Sequence, residues 1–267
     1  MTDHNVIETL PSGGFIWAVA AIHGEVERLR RLHSRLSGEF SPGDRIVYLG
    51  NYLGHGPAVR ETIDDLLLFR RLILARPEGR CRDVVFLRGQ QEEMWQKLLQ
   101  IQFAPNPSEI LDWMGENGVE STLRAYGSSL KEGMMALREG VLSLTRWTSV
   151  LRQNMRALDG HVALTSRLRH AAMTEDNHML FIHSGIDPFR LLTEQGDIFW
   201  WGGAQFDAID SPCLGFKRVV RGYDRKHGGM KINSYTACLD AGCGAGGPLT
   251  AIRFNAATGE PDQVVEA

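Results

Sequence analysis

The chain has 267 residues, with 29 Lys plus Arg against 32 Asp plus Glu, a formal net charge of −3 and 43% hydrophobic residues. That length suits one large domain or two modest ones, with enough chain to bury a core without covalent staples. The near balance of charge gives no global field for nucleic acid or an anionic membrane, so a bound anion must be held by a local site.

Residues 1–14 are acidic and polar, without the basic and apolar segments of a secretory leader. The longest apolar run, residues 15–22 (FIWAVAAI), is too short to span a bilayer. The four Cys at 81, 213, 238 and 243 contain no Cys-x-x-Cys pair and read as thiols in a reducing compartment. A soluble cytoplasmic protein with no membrane or nucleic-acid partner is expected.

Residues 15–22 predict a strand buried on both faces that breaks at His23 and Gly24. Val26, Leu29, Leu32 and Leu36 predict a helix after it, with Gly38 at its C-terminal cap. Residues 44–49 (DRIVYL) predict a second strand, residues 50–56 a loop, and Pro57 the first residue of a helix carrying Val59, Ile63, Leu66 and Leu67. Residues 83–87 (DVVFL) predict a third strand, residues 88–91 a loop, and Met94, Leu98 and Ile101 a third helix. Three strand-loop-helix units predict an α/β fold whose central strands are largely parallel, with sites at the strands' carboxyl ends.

Residues 105–175 differ in character. Met134, Leu137, Val141, Leu144, Leu151 and Met155 keep helical spacing with one step on Thr148, which predicts a long helix or helix pair in a helical cap. The stripe reads as core, with a partner-binding surface as the alternative. Beyond His178, residues 179–182, 218–220, 235–239 and 249–254 are candidate strands, and residues 242–247 (GCGAGG) read as a hairpin connection. That glycine-rich run lacks the Lys-Ser/Thr of a phosphate-binding loop.

The loops at the strand ends carry a family likeness. Residues 20–24 (AAIHG) stand where bacterial phosphoprotein phosphatases have Gly-Asp-x-His-Gly, residues 50–56 (GNYLGHG) where they have Gly-Asp-x-x-Asp-Arg-Gly, and residues 87–92 (LRGQQE) where they have Leu-Arg-Gly-Asn-His-Glu. Residues 113–127 (WMGENGVESTLRAYG), 183–188 (HSGIDP), 221–224 (RGYD) and 240–250 (DAGCGAGGPLT) follow in the family's order. The sequence thus resembles the calcineurin-like metallophosphoesterases, which include protein Ser/Thr phosphatases and the symmetrical diadenosine tetraphosphatase. The resemblance implies an α/β sandwich of two central mixed β-sheets flanked by helices, spanning residues 1–267 as one domain with the cap at about 105–175. It also implies two divalent metals such as Mn or Fe/Zn.

The residues that hold those metals depart from the pattern. Two divalent ions require carboxylates to offset their charge, with His and Asn completing the shells. Ala21 stands for the first ligating Asp, Asn51 for the bridging Asp, Gln90 for the ligating Asn and Tyr223 for the last ligating His. His23 and His183 alone are kept, and the resemblance puts them on different metals. Gln91 replaces the general acid His, and an amide does not titrate near neutral pH. Gly54 replaces the Asp that supports that His, His55 replaces a phosphate-clamping Arg, and Gly203, after Trp200 and Trp201, stands where the resemblance implies a second clamp Arg.

No resident metal or cofactor is expected, and the pattern reads as a pseudophosphatase that binds rather than cleaves. His23, His55, Arg88, His183 and Arg221 are the candidate ligand-binding residues, for a phosphorylated or anionic small ligand; Asp187 and Asp224 are the acids that could replace those lost. The competing reading makes His23 and His183 structural, hydrogen-bonded across a collapsed site, with Tyr223 filling the space of a metal. A protein partner on the helical cap and an active hydrolase with an altered metal site are the further alternatives. Trp200 and Trp201 read as core or as a recognition wall, and His33, His161, His170 and His178 show no partner pattern.

Overall fold

A computed structural model describes residues 7–77 and 79–267. The part of the leader argument that falls on residues 1–6 lies outside the described residues. The chain runs β1 (Ile7–Leu10), β2 (Phe15–Val19), α1 (Val26–Glu39), β3 (Arg45–Tyr48), α2 (Val59–Leu74), β4 (Val84–Phe86) and α3 (Gln90–Leu98). Five helices follow: α4 (Pro107–Glu116), α5 (Val119–Ala125), α6 (Leu130–Glu139), α7 (Val141–Arg156) and α8 (His161–Thr165). The remainder comprises β5 (Ala171–Thr174), β6 (Met179–Ile182), a short α9 (Ile198–Trp201), β7 (Arg218–Arg221), β8 (Lys231–Ile232), β9 (Thr236–Cys238), β10 (Thr250–Asn255) and β11 (Pro261–Glu266).

Two mixed sheets result. One has the order β11-β10-β2-β3-β4, with β2, β3 and β4 parallel and β10 antiparallel to β2 and β11. The other has the order β1-β5-β6-β7-β9-β8, with β6, β7 and β9 parallel at its centre. The central strands are apolar at successive positions because both faces are covered: residues 16–19 and 46–48 are all buried. One core joins Ala18, Val47, Phe181 and Ala251 of the two sheets to Leu111, Leu123 and Leu151 of the cap helices.

Several sequence expectations are corrected. The first strand ends at Val19, because the chain leaves the sheet at residues 20–22, where the Ala21 N–H bonds the Gly222 carbonyl instead of a strand partner. Helix α1 continues through Gly38 and stops at the extended Phe40, so Gly38 is not its cap. Pro57 precedes α2, whose N-cap is Ala58. Residues 90 and 91 open α3 instead of lying in the loop before it, and Ile101 lies beyond it in a 3-10 turn.

Residues 242–247 do not close a hairpin. They carry the chain from β9 in one sheet to β10 in the other, and their turn is pinned by Arg28, whose guanidinium donates to the carbonyls of Gly246 and Gly247. The cap helices span residues 107–165, and residues 171–174, read as cap, form β5. The predicted helix pair is present, broken at Gly140, while Val141 is exposed and so leaves the core stripe. Strands β1 and β11 are not among the strands expected from the sequence.

Candidate functional site

The loops that follow β2, β3, β4, β6 and β7 converge at one place. The Ile22 and His23 N–H groups both donate to the Asn51 carbonyl, and the Gly222 and Tyr223 N–H groups both donate to the His183 carbonyl. Gly50 and Gly89 pass so close that a Cβ on Gly89 would lie 2.3 Å from the Asn51 nitrogen and one on Gly50 2.7 Å from the Gly89 backbone. This close approach admits only glycine at either position. His23 (φ 57°) and Asn51 (φ 54°) occupy the left-handed region, which costs a non-glycine residue on the order of 1 kcal/mol and is sustained by the surrounding bonds.

Glu92 organises the second and third loops. Its buried carboxylate accepts the N–H groups of Asn51, Tyr52, Leu53 and Gly89 at 2.8–3.0 Å. Burial pushes its pKa up, opposed by those four donors. Residues 113–127 close over the same loops: the Gly54 N–H donates to Thr122 Oγ1, Ser121 Oγ donates to the His55 carbonyl, and Gln91 Nε2 donates to the Asn117 carbonyl at 2.8 Å.

The ring of Tyr223 lies at the centre. It stacks on His183 with centroids 5.3 Å apart and planes 8° apart, and it lies 5.5 Å from the His23 ring. His55 lies 5.2 Å from His23, and His227 lies 5.7 Å from Tyr223. His23, Asn51, Gln91, His183 and Tyr223 are buried, and His55 is exposed at the rim.

Protonation follows from the contacts. His183 Nδ1 faces the Leu49 carbonyl at 2.7 Å, so it carries the proton and leaves Nε2 as a lone pair with no hydrogen-bond partner. Asn51 Oδ1 accepts the Gln91 N–H at 2.9 Å, which turns the Asn51 amide nitrogen toward His23 Nε2 at 3.3 Å. The free nitrogen of His23, Nδ1, is therefore an N–H donor, and it is unpartnered. Burial lowers the His183 pKa to about 4; burial and the neighbouring His55, His183 and His227 hold His23 well below the usual range. His55 is lowered by burial and by His227. Tyr223 is pushed up to about 12 by burial and by the Asp240 carboxylate.

The structure brings together His23, Asn51, His55, Gln91, His183 and Tyr223, as the matched loops predict. The two arginines are committed elsewhere. Arg221 is buried and paired with Asp207 at 2.9 Å and Asp224 at 3.2 Å, over the Phe206 ring. Arg88 pairs with Glu93 at 3.1 Å and faces Trp200. A Cβ on Gly203 would meet Arg221 Nη1 at 4.0 Å. Gln90 is buried at the start of α3. Trp200 is buried, with its indole N–H on the Arg88 carbonyl, and Trp201 packs against Trp113 of the cap; both therefore serve packing.

Asp187 binds the Phe189 N–H and Arg190, so it supplies no charge to the centre. The acids that do matter locally, Asp207 and Asp240, were not singled out from sequence. Asp240 accepts the Asp224 N–H and faces His227 Nδ1 at 3.1 Å. Nothing in the spacing of residues 207, 227 and 240 marks them as neighbours. Glu92 was within a matched motif, and its four-bond role needed the folded loops.

The two divalent metals that such a fold accommodates do not fit these residues. Ala21 offers no side-chain donor, Asn51 Oδ1 is committed to Gln91, His23 turns an N–H outward, and the Tyr223 phenol stays protonated. One imidazole lone pair, on His183, is left, and a divalent site depends on ligand number and charge. Among the described residues no group of three or more His, Cys, Asp or Glu is arranged to hold a metal ion.

No protein-family model and no curated protein matches the sequence. Solved structures do match over nearly the whole chain. One is a provisionally assigned diadenosine tetraphosphatase, 18% identical with TM-score 0.55, covering 98% of this chain and 97% of that one. A protein serine/threonine phosphatase from Saccharomyces cerevisiae is 13% identical with TM-score 0.54, covering 98% of this chain and 82% of that one. A metallophosphoesterase from Sphaerobacter thermophilus is 11% identical with TM-score 0.50, covering 96% and 88%. At these identities the likeness establishes the fold alone: two mixed sheets flanked by helices, shared with those structures over nearly the whole chain. Among the described residues no helix is long and apolar enough to cross a membrane.

Proposed function

We propose that this chain is a pseudophosphatase: a phosphoesterase fold without phosphoesterase chemistry, acting as a binding or regulatory module. The observation that carries the reading is the Tyr223 ring stacked on His183 and set against His23, where the fold would otherwise hold metals. Lost ligands alone could leave an open, basic cleft. Instead the centre is filled, its two retained imidazoles are neutral and its nearby Arg221 is matched by two carboxylates. This favours a structural role for His23 and His183 over anion binding between them.

The rival reading is a hydrolase of phosphoproteins or dinucleoside polyphosphates with an altered metal site. One assay separates the two: purified protein is dialysed against manganese, its bound metal is counted, and diadenosine tetraphosphate, a phosphoserine peptide and a phosphotyrosine peptide are offered as substrates. The expected result is substoichiometric manganese and no turnover above blank. Stoichiometric metal, or turnover that disappears in His183→Ala, would overturn the proposal.

A further inference from the structure

Away from the converging loops, a cavity of about 640 Å³ is lined by the outermost strand of each sheet, β1 and β4, together with α2 and α8. Its lining shares no residue with the matched loops. Its apolar part comes from Ile7, Leu67, Val84, Val85, Phe86 and Leu164. Its charged part comes from Arg70, Arg82, Arg167 and Arg169, with Glu8 as the one acid among the described lining residues. Glu8 is shared, lying 2.9 Å from Arg169 and 3.8 Å from Arg82. Among the described residues Arg70 and Arg167 have no ion pair and no side-chain hydrogen bond. A second cavity of about 490 Å³ adjoins at Arg82 and adds Arg45 and Arg80 with Asp83.

We propose that this cavity is a binding site for a small organic oxyanion: a phosphate or carboxylate group carried on an apolar body. Among the described residues, Arg70 and Arg167 bring two guanidinium groups without an ion pair to this cavity, on a chain whose net charge is −3. Guanidinium forks match phosphate and carboxylate oxygens in pairs, which makes such a cluster selective for oxyanions over other anions. The apolar strand and helix residues would bury the body of the ligand, and the volume lies within the usual range for small-molecule sites. Arg70 and Arg167 come from α2 and from the turn after α8, so two separate segments aim unpaired charge at one space. A solvated surface face would not supply that apolar floor.

The test is calorimetric titration of the full chain with 1-naphthyl phosphate, 1-naphthoate, inorganic phosphate and 1-naphthol. Saturable binding of a naphthyl anion, at least about tenfold tighter than that of inorganic phosphate or naphthol, is expected, and the stronger of the two anions identifies the oxyanion class. The pair Arg70→Gln with Arg167→Gln should weaken it at least about tenfold. The exposed pair Arg138→Gln with Arg146→Gln, on the cap, makes the same change in net charge and should leave it unaltered. Melting curves of both pairs establish that they fold. Failure of both naphthyl anions to saturate, or equal affinity in the two charge-matched pairs, would overturn the proposal.

Discussion

His183 concentrates what the residue scale has to say. Its Nδ1–H is fixed on the Leu49 carbonyl, its other face is covered by Tyr223, and its pKa falls to about 4. In the unfolded chain the same imidazole titrates near 6.5, so between these values the unfolded state binds the proton and the folded state does not. Stability is therefore unaffected by this group above pH 6.5 and is lost as pH falls from there toward 4, by about 2 kcal/mol at pH 5. His23, shifted in the same direction, adds to the loss. Urea melts at pH 7 and pH 5 should register this difference, and His183→Asn, which keeps a donor for the Leu49 carbonyl, should shrink it.

Gly54 packs against Gln91 in the same loop cluster. It holds φ +92°, and a Cβ there would lie 2.5 Å from Gln91 Cδ. Gly54→Ala should cost roughly 1–3 kcal/mol in chemical denaturation, and Gln91→Ala in the same chain should return the steric part while the backbone strain remains. Any side chain at residue 54 is thus opposed by Gln91.

At the scale of elements, the strand-loop-helix units were legible because strands buried on both faces are apolar throughout and helices repeat at three and four. Residues 45–48 and 84–86 and the stripe of α1 carry those signals directly. The ends were less legible, since Gly38 and Pro57 have the local chemistry of a cap and a first turn but are overruled by packing. Strand β1 reads as polar chain and becomes a strand only by pairing with β5, more than 160 residues away. The loops themselves are held to α3 by Glu92, which accepts four N–H groups. Glu92→Gln would keep the shape, lose the charge and set an amide N–H against a backbone donor. Urea denaturation should show a loss of about 2–4 kcal/mol, larger than for a surface Glu.

For the whole molecule, cap and core act together around buried histidines that the sequence left without partners. His33 Nδ1 faces Asp65 at 2.6 Å and its Nε2 faces the Tyr48 hydroxyl, joining α1, α2 and β3. His161 faces Asp64 and the Tyr126 hydroxyl, joining the cap to α2. Asp64 and Asp65 are adjacent in sequence yet serve different helices, a division that only their placement on α2 reveals. The arginines of the proposed oxyanion site are likewise scattered at 70, 82, 167 and 169 and become one group only where β1 and β4 line one cavity.

The sequence by itself determined the α/β class through apolar periodicity, and the two-sheet sandwich followed from the resemblance carried by its ordered loops. It also placed Ala21 and Asn51 where the resemblance implies carboxylates, an expectation that rests on residue identity and not on position. Only the tertiary structure decided that Tyr223 stacks on His183 beside His23, that burial lowers the pKa of both histidines, and that Arg70 and Arg167 line a different cavity. Periodicity is a property of neighbours along the chain, whereas protonation and net local charge depend on burial and on partners brought from distant segments.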